Sequence, residues 1–131
     1  METDTDRAEG QAKAQLESIR EMVKALEDAD AGDDEDARDE ARETIHEDPL
    51  SVEVRSDWHI PGDDAEDTEY RILLCTGGPA VRIVGELGAY NEPDTADIQH
   101  QDWFTPWVSL PTDTEEEEAL LAYVRCFYWG N

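Results

Sequence analysis

At Asp48-Pro49 the spacing of apolar residues changes, and this change limits what the chain can fold into. Before it, Leu16, Ile19, Met22, Val23 and Leu26 recur every three or four residues, which predicts one apolar stripe on a helix. After it, Val52, Val54, Trp58 and Ile60 alternate with Glu53, Arg55, Asp57 and His59, which predicts a strand with one buried face. A residue before proline is driven out of the helical region, so the switch falls at a point where the backbone must also change.

The helical part divides at "DADAGDD". A first helix is expected from about residue 10 to Gly32, which ends it, with residues 1–9 polar and frayed. A second is expected from about Asp34 to His46, capped by Asp33 or Asp34 and carrying a thin apolar face of Ala37, Ala41 and Ile45. Residues 10–48 thus read as an acidic helical hairpin. Beyond residue 49 lie all four Trp, all four Tyr and both Phe, so most of the core is expected there.

Four strands are expected in that second part. The first covers residues 52–60, and "PGDDAEDTE" follows as an acidic loop. "YRILLCTGGPAVRIVGEL" gives two strands joined at Thr76-Gly77-Gly78-Pro79. "DIQHQDWFTPWVSL" (97–110) gives the fourth, bent or ended by Pro106. A C-terminal helix follows, with Thr112 and Glu115 in capping-box spacing, Leu120, Tyr123, Val124 and Phe127 facing inward, and Gly130 ending it. The expectation is a single α+β domain over residues 1–131. Its order is α-α-β-β-β-β-α: an N-terminal helical hairpin, a four-stranded antiparallel meander and a C-terminal helix on the sheet.

The charge excludes some functions. Thirty-five acids face ten bases, a net charge of −25. Binding to nucleic acid or an anionic membrane is opposed, so a partner is expected to offer a basic surface. Cys75 and Cys126 sit among apolar residues and are expected to be buried, reduced thiols. The N-terminus has no apolar stretch and no run approaches a membrane span, which predicts a soluble, cytoplasmic protein.

No pattern of chemistry stands out. An EF-hand loop fails in both registers: from Asp28, Gly32 falls at position 5, and from Glu27, Ala29, Ala31 and Arg38 occupy positions 3, 5 and 12. His46, His59, His100, Cys75 and Cys126 lack zinc-motif spacing, although His59 and His100 lie on strands that could be neighbours. Cys75 before two glycines lacks the following helix that an oxyanion site would use. Two close carboxylates among thirty-five carry no signal for a glycosidase. No catalytic, metal or cofactor residues are assigned, and a non-enzyme is expected.

Two segments remain as partner surfaces. Twelve of the twenty-two residues from Glu27 to Asp48 are acidic, and only Arg38 and Arg42 oppose them. Duplex DNA carries one charge per roughly 1.7 Å of axis. A helix rises about 1.5 Å per residue. The acidic run therefore has near half the charge density of DNA, with i, i+4 neighbours spaced about 6 Å apart, much like phosphates. Asp33, Asp34, Glu35, Asp36, Asp39, Glu40 and Glu43 are the expected contacts to Arg and Lys of a target, in the manner of a DNA mimic. In "DWFTPWVSLP", Trp103 and Trp107 are candidate anchors for an accessory-subunit role, because Trp103 and Phe104 must point oppositely on a strand. A third reading needs no partner. The acid is chain-wide and lysine is scarce (two, against eight arginines), as in a protein adapted to high salt.

The strings "EDPLSVEVRSDW", "ILLCTGGPAVRIVGEL", "QDWFTPW" and "YVRCFYWG" resemble a family of small acidic proteins of phages and prophages in proteobacteria, over about residues 15–130. The likeness brings no catalytic residues with it. It implies a mobile-element setting inside a host cell. There, small acidic proteins often inhibit host defence, including as anti-CRISPR and anti-restriction DNA mimics.

Overall fold

The computed structural model describes residues 4–64, 66–77, 79–102 and 105–130. Among these residues, three α-helices and five strands follow in the order α1 (Asp4–Ala31), α2 (Glu35–Glu47), β1 (Ser51–Ser56), β2 (Asp67–Cys75), β3 (Ala80–Glu86), β4 (Asp97–Gln101), β5 (Val108–Ser109) and α3 (Thr114–Val124). The strands form one antiparallel sheet in sequence order. Among the described residues, no helix is long and apolar enough to cross a membrane.

The α+β class and the meander agree with the sequence, but the sheet has five strands rather than four. The expected fourth strand is split. β4 ends at Gln101, and the chain turns back to pair Val108 with His100 and Ser109 with Gln99. Trp103 and Phe104 lie outside the described residues. Thr105 closes the start of the connection by accepting the Asp102 N–H at Oγ1 (3.0 Å).

α1 starts at Asp4, ahead of the expected residue 10, because Ala8 and Ala12 continue its buried stripe through Leu16, Ile19 and Val23. Small alanines let that end of the helix lie close on its neighbours. The turn into α2 is made by Asp33, whose φ is 52°, and not by Gly32. The Asp33 N–H donates to Asp30 O and the Asp34 N–H to Ala29 O, the paired bonds of a Schellman turn. Asp34 then caps α2 by accepting from the Ala37 N–H at 3.1 Å.

α1 lies over β3 and β4, and α3 packs on α1 and β4. Beneath them the core joins Ile19 and Val23 of α1, Ile45 of α2, Ile72 and Leu74 of β2, Val81 and Ile83 of β3, Ile98 of β4, and Leu120, Tyr123 and Val124 of α3. The cap of α3 falls one residue later than expected. Asp113 and Glu116 form the capping box, leaving Thr112 outside it. α3 also stops at Val124. Phe127 lies beyond the helix with its ring 5.4 Å from that of Tyr123. The buried Trp129 donates from its indole to Val124 O at 2.8 Å and so covers the helix end.

β1 departs furthest from expectation. It ends at Ser56, so Trp58 and Ile60 fall in an exposed loop. Val52 stands opposite Ile72 and Val54 opposite Tyr70, both buried. Directly opposed residues share a face, so both valines lie on the core side of the sheet. They nevertheless remain 38 % and 43 % exposed, because the helices are centred on strands further along the sheet.

Candidate partner-binding surfaces

α2 separates acid from core. Successive helical residues are about 100° apart, so Glu35, Asp36, Asp39, Glu40 and Glu43 fall within one arc of about 140°. All five are exposed. Ala41 and Ile45 occupy the opposite side and are buried. Asp33 and Asp34 extend the exposed acid to the start of the helix. The structure thus gathers all seven acids named from the sequence at α2 and the turn before it.

Counter-charge on this surface is sparse. Arg38 donates from Nε to Asp30 Oδ1 at 2.5 Å and lies 3.6 Å from Asp33 Oδ1, which staples the turn between α1 and α2. Asp33 is the one of the seven in an ion pair among the described residues. Glu35/Asp39, Asp36/Glu40 and Asp39/Glu43 are like-charge i, i+4 pairs. Each costs the helix roughly 0.2–0.5 kcal/mol at low salt. The acidic face therefore works against the stability of its own helix.

A second acidic surface lies between α1 and α3. Glu17, Glu21, Glu27 and Asp28 of α1 and Glu115 and Glu118 of α3 line an open groove with Arg20 and Lys24. Exposed Asp57, Asp63, Asp64 and Glu66 add acid to the loop before β2.

The sheet face away from the helices is different. Three of the four bases beyond residue 49 stand there: Arg55, Arg71 and Arg82. Arg71 donates to Glu53 Oε1 at 2.9 Å, and Arg55 pairs with Glu69. Arg82 donates from Nε to Gln99 Oε1 at 2.8 Å, and its guanidinium carbon lies 4.1 Å from the centre of the Trp107 ring. Partial burial, then the charges of Arg71 and Arg55, lower the pKa of Arg82. This grouping was missed from the sequence. Its signal is the period of two in "VEVRS", "EYRIL" and "AVRIV", but the strands' register is needed to bring the three together.

Trp107 is therefore half-buried under Arg82 rather than a free anchor, and Trp103 lies outside the described residues. His59 and His100 are not neighbours. His59 follows β1 in an exposed loop, whereas His100 is buried on β4, with β2 and β3 lying between the two strands. Both cysteines are free and half-buried, and burial raises both thiol pKa values. Among the described residues, no three His, Cys, Asp or Glu side chains converge as a metal cluster.

Comparisons with protein-family models, curated proteins and solved structures give no match.

Proposed function

We propose that this chain is a non-enzymatic binding protein that occupies a basic, nucleic-acid-binding surface of another protein. Its carboxylates take the positions that phosphates would fill on that surface. The observation supporting this reading is the one-sided array on α2. Five exposed carboxylates share one arc, opposite Ala41 and Ile45, with no ion pair to any of the five among the described residues. Carboxylates held in this way are available to Arg as bidentate acceptors and to Lys as point charges. The like-charge cost within α2 is unrewarded by the fold and is offset when a cationic surface binds. With the phage-like sequence strings, the reading extends to an inhibitor of a host defence protein, of the anti-CRISPR or anti-restriction kind.

Salt adaptation is the second reading, favoured by the acid of the α1–α3 groove and the loop before β2. One experiment separates the two. The wild-type chain and a variant with Asp36, Asp39, Glu40 and Glu43 all changed to Lys are used to capture proteins from a host lysate, at low and high KCl. Mimicry predicts capture of a basic protein that duplex DNA displaces, that high salt releases, and that the variant loses while keeping its circular dichroism. Equal capture by both chains would leave the acid as a solvating coat.

A further inference from the structure

The two edges of the sheet are unlike. β5 is two residues long, with Pro106 and Pro111 close on either side, both devices that discourage strand addition. β1 is six residues long and contains neither Pro nor Lys. On its core side Val52 and Val54 are well exposed, and beyond its two ends Leu50 is 59 % and Ile60 70 % exposed. Trp58 is fully exposed in the same segment. An edge of this kind is a template for another strand.

The sequence of β1 selects what that strand is. Suppose a second copy pairs with it antiparallel about a two-fold axis. The valines stay together on the core side only in registers that match even with even positions. Centring on Glu53 sets two glutamates face to face, and centring on Arg55 does the same with two arginines. Centring on Val54 instead places Val54 against Val54 of the other copy, and Glu53 against Arg55 at both symmetry-related positions. Directly opposed unlike charges stabilise a strand pair and like charges destabilise it. Within each chain Glu53 already pairs with Arg71, and Arg55 with Glu69. The Val54-centred register therefore continues an alternating row across the seam: Arg71, Glu53, then Arg55 and Glu69 of the other copy.

We propose that β1 is a homodimer interface in which two copies pair antiparallel about Val54, joining two five-stranded sheets into one of ten. The net charge of −25 on each copy opposes association at low ionic strength. Screening by salt acts most strongly on that long-range repulsion and less on the short, direct pairs at the seam. The dimer is thus strengthened by salt, the opposite of a complex with a basic target.

The test is sedimentation equilibrium of the full chain at about 0.1 M and about 1 M KCl, where the screening length falls from about 10 Å to about 3 Å. Wild type is expected to shift from monomer toward dimer. Val54→Lys is expected to weaken the dimer at least about 10-fold, equivalent to about 1.4 kcal/mol. Register is tested by Glu53→Arg and Arg55→Glu. Each variant alone sets like charges across the seam and stays monomeric. Mixed together, they restore both unlike pairs and form a heterodimer. That rescue also shows that both variants are folded, so the test stands even where Val54→Lys does not fold. Wild type that remains monomeric at about 1 M KCl overturns the proposal. So does a mixture that fails to associate.

Discussion

The Tyr123 hydroxyl donates to Asp48 Oδ2 at 2.7 Å, tying α3 to the residue that ends α2. The phenol is buried in the core, and the carboxylate lies at its edge. The bond thus locks the acidic hairpin onto the aromatic-rich part of the chain. Tyr123→Phe keeps the ring and removes the donor. A hydrogen bond to a charged group contributes about 1.5–3 kcal/mol. Because water can reach Asp48, the expected loss is at the lower end of that range, measured by urea unfolding.

Alkaline pH should expose the same region. Burial raises the pKa of Tyr123 and of Tyr70 above the usual tyrosine range, and the Asp48 carboxylate raises that of Tyr123 further. The unfolded value is about 10. A group whose pKa is raised by folding contributes its full stabilisation below the unfolded pKa, and this is lost as pH rises toward the folded value. The melting temperature should therefore fall as pH rises above about 10, and Tyr123→Phe should fall less steeply. A pH-independent melting temperature in that range would contradict the buried phenols.

Gly85 stands opposite Tyr70 in the β2–β3 pair, and the tyrosine side chain lies over it. A Cβ at this position would come 2.6 Å from Tyr70 Cε1 and Oη, and closer still to Thr95 O. Tyr70 is itself held there, donating from its hydroxyl to Thr95 O at 2.5 Å. Neither the ring nor the backbone oxygen can withdraw without losing that bond. Gly85→Ala should cost about 1–3 kcal/mol or more, as overpacked cores do, readable as a lowered urea midpoint with an unchanged slope.

Legibility in the sequence followed the strength of the local signal. Leu16, Ile19 and Val23 were readable as a buried stripe because large apolar residues at helical spacing have few alternatives. Ala8 and Ala12 were not, since alanine among polar residues gives little contrast, although both are buried. The alternation of Val52 and Val54 correctly indicates a strand. Their exposure depends on where the helices end, which no local pattern records. Trp129 was missed as core because it lies past the last helical repeat, in irregular backbone. The site divides in the same way. The acidic arc of α2 follows from residue numbers once the helix is granted. The grouping of Arg55, Arg71 and Arg82 on one sheet face depends on pairing between strands.

The acidic arc also implies a conflict between stability and binding that a single substitution exposes. Asp39 stands one turn after Glu35 and one turn before Glu43, so it takes part in two repulsive pairs. Asp39→Lys turns both into attractive pairs, and Glu35 preceding the new lysine is the better orientation. Lysine also forms helix more readily than aspartate. The position is exposed, so no packing opposes the change. The expected result at low salt is a gain of roughly 0.5–1.5 kcal/mol. At about 1 M KCl only the propensity part should survive, because the charge part is screened. The same variant should bind a basic target more weakly, since it removes one carboxylate and adds a cation at the centre of the arc. Calorimetry at two salt concentrations measures the first effect, and capture of the basic protein measures the second. A more stable chain that binds less well would mean that the carboxylate at Asp39 is kept for a partner at the expense of the fold. A gain in stability with undiminished capture would remove α2 from the interface.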